Sequence, residues 1–387
     1  MHLLRCLGAL LALIAAFSLP RPASASECSM AQMLAAADSV IEPCTQLLKG
    51  SGLSKAKRAE ALLIRGRGFH RSKRLRQAAD DYRSAVELNP NNEEIWLAWS
   101  NVEQRRGEMD GYVEKVERAA RIKPNSPRVL RAIGTMFWTF GDAEKAIEFF
   151  SKALAADPTE AFARLFRSDV YLEQSKFLEA IADADALVAL PRDVINREGY
   201  LDPEGDVQDF YVIALIRRGQ LLQEAGQDDR AGQDFDAAVA AGRTVPALIA
   251  RARFLSRSGV SQEAIANLEE AVRKDPANAS AQFALGVELT ISQQFEQAFA
   301  AFDKAIAARP GFALAYKMRA RMHRQFGRTE EAVTDFLTAI AANPSTIEQS
   351  IPALRYAGYW TSAQVPDSVT PELQDAIRAC MIDTTCN

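Results

Sequence analysis

The sequence predicts an all-α protein, a solenoid of tandem helix-turn-helix repeats, on three observations. Prolines recur every 34 residues, at Pro90, Pro124 and Pro158 and again at Pro276, Pro310 and Pro344. Units counted back from these prolines agree on small and bulky residues at fixed offsets. The composition, 48% hydrophobic and 25% charged, is that of a folded chain rather than a disordered one. A constant period of this length is the mark of a repeat architecture.

Residues 1–25 read as a secretory signal peptide. Arg5 supplies the positive start, an apolar run extends from Cys6 to Leu19, and Ala23-Ser24-Ala25 is a small-residue cleavage site. The apolar run is short for a membrane span of about 20 residues. The chain is therefore expected to be periplasmic or secreted, with no membrane span after cleavage. Its formal charge of −4 argues against a general nucleic-acid binder.

Residues 26–58 read as an N-terminal helical cap. Cysteines remain only at the two ends of the mature chain: Cys28 and Cys44, then Cys380 and Cys386. An even number in an exported chain implies disulfides, with three possible connectivities. The ends of a long solenoid are far apart, which favours Cys28–Cys44 and Cys380–Cys386. An unbroken helix over 29–43 would hold the first two sulfurs on the order of 20 Å apart. That pairing therefore predicts a turn near Ala37-Asp38-Ser39.

Repeats 1–4 are expected over 59–194 and repeats 5–8 over 212–346. Units with proline at position thirty-two start at Ala59, Glu93, Pro127, Val245, Ala279 and Ala313. Two with weaker endings start near Ala161 and Val212. The eighth position is always small: Gly66, Ser100, Gly134, Ser168, Gly219, Ala252, Gly286 and Ala320. The twentieth is alanine in all units but the second, which has Tyr112. The twenty-fourth is usually bulky, as at Tyr82, Phe150, Phe235, Phe302 and Phe336. Small residues let two antiparallel helices approach. The expected packing sets position eight against position twenty, with position twenty-four filling space left by the next repeat. Proline ends the second helix, since it lacks an N–H and disfavours helix before it.

These residues resemble the tetratricopeptide repeat family across 59–346. The resemblance implies a right-handed superhelical solenoid whose first helices line a concave groove, with positions two, five, nine, twelve and thirteen facing it. Those positions supply Arg67, His70, Arg71, Arg105, Arg128 and Arg131 toward one end. They supply Arg253, Arg257, Lys317, Arg321 and Arg324 toward the other. Glu60 and Glu94 partly offset the first set, and Asp169, Glu173 and Glu224 lie between. A basic-ended groove suits an acidic protein or peptide partner, because arginine grips carboxylates bidentately. The competing reading is a solvated helix face. Leu63 and Ala132 occupy two positions that a terminal-carboxylate clamp would use, so that function is not carried over.

Residues 195–211 interrupt the array as an acidic insertion. Asp202, Glu204, Asp206 and Asp209 raise a calcium reading, but the spacing is not that of an EF-hand loop, and Pro203 and Gly205 suit a plain turn. Residues 347–387 read as a C-terminal helical cap. A second resemblance competes there: Leu354, Gly358 and Tyr359, with Pro371, Ala376 and Ile377, are similar to small peptidoglycan-binding modules. That alternative would make the chain a cell-wall-associated module.

Nothing selects a catalytic site. His70 and His323 fall in repeats 1 and 8, and neither a phosphate-binding GxxxxGK[ST] loop nor an HExxH segment occurs. The sequence therefore predicts an exported interaction scaffold, with no enzyme activity, cofactor or metal.

Overall fold

Helix ends fall where the prolines place them. In the computed structural model, which describes residues 28–29, 37–196, 200–201 and 207–383, second helices stop at Leu88, Ile122, Ala156, Lys274, Ala308 and Ala342. Each stop is two residues before a repeat proline. Repeat 5 lacks that proline, and Arg243 ends its second helix instead. Arg243 takes a left-handed conformation (φ 45°) and its N–H bonds the Val239 carbonyl.

Each first helix is joined to its second by a turn with a left-handed residue at position fifteen. Gly107, Gly141, Gly226, Gly259 and Gly327 take φ between 71° and 81° there. Lys73, Ser175 and Gln293 hold the same place in repeats 1, 4 and 7, with φ of 59–60°. Side-chain-bearing residues pay for this conformation with a clash between Cβ and the carbonyl.

The pairs run Lys55–Arg71 with Leu75–Leu88, Glu93–Arg106 with Met109–Ile122, Pro127–Thr139 with Ala143–Ala156, and Ala161–Glu173 with Phe177–Val188. They continue as Phe210–Glu224 with Asp228–Gly242, Val245–Arg257 with Ser261–Lys274, Ala279–Ile291 with Phe295–Ala308, and Ala313–Gln325 with Thr329–Ala342. The chain divides into two units, Met1–Asp209 and Phe210–Asn387, so the division falls inside the segment read as an insertion. Two starts differ from expectation. Ser54 caps the first helix by accepting from the Lys57 N–H, which draws residues 55–58 out of the N-terminal cap and into repeat 1. Phe210 is fully buried and begins the first helix of repeat 5 two residues early.

The core bears out the role assigned to position twenty-four and adds to it. Its ring meets the next repeat, Phe150 lying 6.1 Å from Phe166 and Phe235 5.4 Å from Phe254, and it also packs on position eight of its own repeat. A Cβ added to Gly66 would lie 2.5 Å from the Tyr82 ring, and one on Gly134 would lie 2.7 Å from Phe150. Gly219 meets Phe235 and Gly286 meets Phe302 in the same way. Where position eight is larger, its partner shrinks: Ala252 accompanies Leu268, and Ser168 accompanies Ala184. Ser168 also donates to the Ala180 carbonyl at position twenty, 2.9 Å away. Each buried ring contributes about 1.5–3 kcal/mol.

A second intra-repeat pair, at positions seven and twenty-three, is polar. Arg65 grips Asp81 with two nitrogens at 2.8 and 2.7 Å. The same bidentate geometry joins Arg167 to Asp183, Arg218 to Asp234 and Arg319 to Asp335. Repeat 2 puts Trp99 and Lys115 at these places, with the ammonium 4.6 Å from the ring centroid.

At the N-terminal end Cys28 and Cys44 form a disulfide with Cα atoms 4.8 Å apart. The expected turn is present: a 3-10 turn, Ala37–Val40, leads into the helix Ile41–Lys49. Cys380 is also disulfide-bonded, while Cys386 and residues 1–25, read as a signal peptide, lie outside the described residues. At the other end, Ser345–Tyr356 and Pro371–Ile382 fold onto the last repeat. Ile347, Ile351, Leu354, Leu373 and Ile377 join Ile340 in one apolar cluster.

Candidate functional site

Positions two, nine, twelve and thirteen of the first helices meet across successive repeats. Arg67 at position nine donates to Glu94 at position two of the next repeat, 2.8 Å away. Arg128, at position two of the repeat after that, approaches the same carboxylate oxygen at 3.4 Å. Gln104 donates to Thr139 at 3.1 Å and Trp138 donates to Glu173 at 2.8 Å, each linking position twelve to position thirteen of its successor. Over repeats 1–4 one face of the first helices is thus a connected polar surface.

Within Met1–Asp209 this face brings together most of the first predicted set, with acids threaded among the cations. Burial alone would raise the Glu94 pKa, but Arg67, Arg128 and Lys123 together hold it below the ordinary glutamate value. Arg131 pairs with buried Glu160 at 2.5 Å and lies 5.2 Å from the Phe162 ring centroid. His70 is lowered to about 4, first by burial and then by the charges of Arg105 and Arg67. It is a neutral imidazole at pH 7. Arg71 is half-buried beside it, and Arg105 is exposed. Glu94 offsets this basic end as expected, and Glu160 adds to it: the two answer Arg67, Arg128 and Arg131. Sequence reasoning missed Gln104, Trp138 and Thr139, although their positions are those used to select the arginines. A filter for charge passed over them.

Arg128, Asp157, Glu160, Phe162 and Ile195 help to line a cavity of about 320 Å³ along this unit. The short helix Arg192–Ile195, at the start of the insertion, supplies its last wall. Asp209, one of the acids behind the calcium reading, is engaged by Arg192 and by Asn196 at 2.9 Å. Asp202, Glu204 and Asp206 lie outside the described residues. Among the described residues no group of three His, Cys, Asp or Glu could hold a metal ion. Nor is any described helix long and apolar enough to cross a membrane.

Within Phe210–Asn387 the second set is placed differently. Arg253 and Arg321 are exposed and form no ion pair among the described residues. Arg257 comes only within 4.0 Å of Glu224, and both are largely exposed. Lys317 donates to Gln349 at 3.2 Å and Arg324 to the Asp383 carbonyl at 2.7 Å, so both are tied to the C-terminal segment. His323 lies 4.8 Å from the Phe299 ring centroid, and desolvation lowers its pKa.

Comparison with known proteins identifies the repeat. A family model described as tetratricopeptide repeat matches residues 98–161, 249–289 and 292–346. The chain is 26% identical over 206 residues to a Hsp70-Hsp90 organizing protein of Triticum aestivum, covering 53% of this chain and 33% of that one. It is 24% identical to a DnaJ homolog subfamily C member 7 homolog of Schizosaccharomyces pombe, covering 75% and 65%. The chain thus spans about a third of the length of the organizing protein it matches. Among solved structures, yeast Tom70 superimposes with a TM-score of 0.54 at 19% identity, over 84% of this chain and 63% of that one. The Cut9 assembly with Hcn1 gives 0.51 at 15%, over 79% and 57%. At these identities the structural likeness concerns the fold alone.

Proposed function

This chain carries tetratricopeptide repeats, and from that premise we propose that it is an exported scaffold holding an extended, acidic segment of a partner protein along its first helices. The observation that carries this reading is the polar face of repeats 1–4, in which groups on successive first helices are bonded to one another. A surface stitched in this way is held in place before a ligand arrives, which lowers the ordering cost of binding. Its arginines present planar forks suited to carboxylates. The matched relatives include proteins named as Hsp70-Hsp90 organizing proteins, consistent with a holding role.

Export rests on the charge, apolar run and small-residue pattern of residues 1–25. The alternative of docking on peptidoglycan is the weaker reading. Leu354, Leu373, Ala376 and Ile377 face the last repeat, where they share its core. Residues 357–370, between the two terminal helices, are not helical. The segment serves as a cap.

The test is site-specific photo-crosslinking in the native host. A photoreactive side chain replaces Gln104 or Ser280 on the first helices, or Arg273 or Lys304 on the second. The reading expects one protein to be captured from the first-helix positions and not from the others, on a chain whose mature N-terminus is Ser26. Capture from the second helices alone, or an uncleaved chain held in the cytoplasm, would overturn it.

A further inference from the structure

The two arginine-rich stretches differ in what stands opposite each cation. In the first unit the residue 27 positions after Arg67 is Glu94, and they pair at 2.8 Å. The same register sets Arg253 against Ser280, which carries no charge, and Val287 against Leu314. Neighbouring contacts support that register in repeats 7 and 8: Phe283 packs on Phe312 at 5.0 Å, and Thr290 meets the Met322 sulfur at 3.4 Å. Repeat 7 thus offers an apolar surface where its neighbours offer cations. Ile291 is 57% exposed and Leu314 is 54% exposed. Arg253 and Arg257 stand on repeat 6 to one side, and Arg321 stands on repeat 8 to the other. Desolvation and the Arg257 charge both lower the Arg253 pKa, as expected of cations crowded together without an acid. Glu224, at 4.0 Å from Arg257, is the nearest counter-charge recorded for this group.

We infer that the partner segment docks on repeats 6–8 and has an acidic–apolar–acidic pattern, its aliphatic or aromatic side chains covering Ile291 and Leu314 while carboxylates on either side meet Arg253 with Arg257 and Arg321. This rests on the groove reading above and narrows it to one stretch and one ligand chemistry. The first unit is the poorer site for the same ligand, because a carboxylate reaching Arg67, Arg128 or Arg131 there must displace Glu94 or Glu160. Burial of exposed aliphatic surface supplies non-directional affinity, and charge-assisted hydrogen bonds to guanidinium supply register. No free chain terminus is required, since the cations lie on both sides of the apolar surface.

The test uses the mature chain, residues 26–387, and a fluorescein-labelled peptide Asp-Glu-Leu-Phe-Asp-Glu with an amidated C-terminus, read by fluorescence anisotropy. The double variant Arg253→Glu/Arg321→Glu should weaken binding by about tenfold or more. Ile291→Ser/Leu314→Ser should weaken it by about fivefold. Arg67→Glu/Arg128→Glu, in the stretch where Glu94 already answers the cations, should weaken it less than either of those variants does. All six positions are exposed or half-buried, and circular dichroism verifies that each variant keeps its helix content. A Ser-for-Leu-Phe peptide should bind as weakly as the apolar variant does. The inference is overturned if the first-unit variant causes the larger loss, or if the wild-type chain fails to bind the peptide while crosslinking from Gln104 still captures a partner. That last result leaves the groove reading standing, whereas loss of both would remove the two together.

Discussion

At the residue scale the array is governed by complementary pairs within each repeat. Position eight is glycine where position twenty-four carries a ring over it, in repeats 1, 3, 5 and 7, and is larger where that partner is Val116, Ala184 or Leu268. Repeat 8 departs from the rule, with Ala320 and Phe336; Phe336 there is only partly buried. Gly134→Ala should therefore destabilise the protein by about 1–3 kcal/mol, the usual cost of overpacking. Helix propensity, which favours alanine over glycine by about 1 kcal/mol, works in the opposite direction. Replacing Phe150 by leucine should cost stability in the wild type yet recover part of the loss in the Gly134→Ala background, because Ala252 and Leu268 already pack together in repeat 6. Thermal unfolding of the four proteins in this cycle measures the coupling. Strictly additive losses would show that ring and methyl do not compete for the same space. The Arg–Asp pairs at positions seven and twenty-three follow the same logic in polar form, with both partners changed together to Trp99 and Lys115 in repeat 2.

At the element scale much of the fold was legible. Proline marks where six of the second helices end, and small residues mark which faces approach. Two features escaped. The left-handed position fifteen was visible as glycines spaced by 34 residues at Gly107 and Gly141 and by twice that at Gly259 and Gly327. Lys73, Ser175 and Gln293 break that pattern and hide its period. The pairing of cations with acids was less legible. Arg67 and Glu94 are 27 residues apart in sequence, and only the stacking register brings them together. Charge counted along one helix cannot reveal neutralisation supplied by the next. The turns carry a direct prediction. Gln293 is exposed and left-handed at φ 59°, so Gln293→Gly should relieve strain and stabilise the protein by about 1 kcal/mol. The same substitution at Gln294, which follows it in the helix N-cap (φ −88°), should bring no such gain. A rise in the unfolding midpoint for the first variant alone is the expected result; equal behaviour would mean that the turn stores no strain.

At the scale of the whole molecule, a solenoid must end without leaving an apolar face in water, and terminal caps meet that need. The C-terminal cap is built from the helices Ser345–Tyr356 and Pro371–Ile382, and it is tied to the last repeat by more than its apolar cluster. Arg324 donates to the Asp383 carbonyl, Arg378 pairs with Glu330 at 3.0 Å, and Tyr359 donates to the Asp383 carboxylate at 2.9 Å. Truncation after residue 370 removes Leu373, Ala376 and Ile377 and uncovers Ile340, Ile347, Ile351 and Leu354. At about 1.5–3 kcal/mol for each large side chain returned to water, the loss is several kcal/mol. Repeat stability is transmitted between neighbours, so the loss should be felt most in Ala313–Ala342 and fade toward repeat 5. Hydrogen exchange should show early loss of protection in that segment, and the truncated chain should self-associate through the uncovered face. Ile377→Asp makes the same break while keeping the chain length and both cysteines of the tail. If exchange in Ala313–Ala342 is unchanged in both variants, the terminal helices do not stabilise the last repeat, and the peptidoglycan reading of the tail regains its standing.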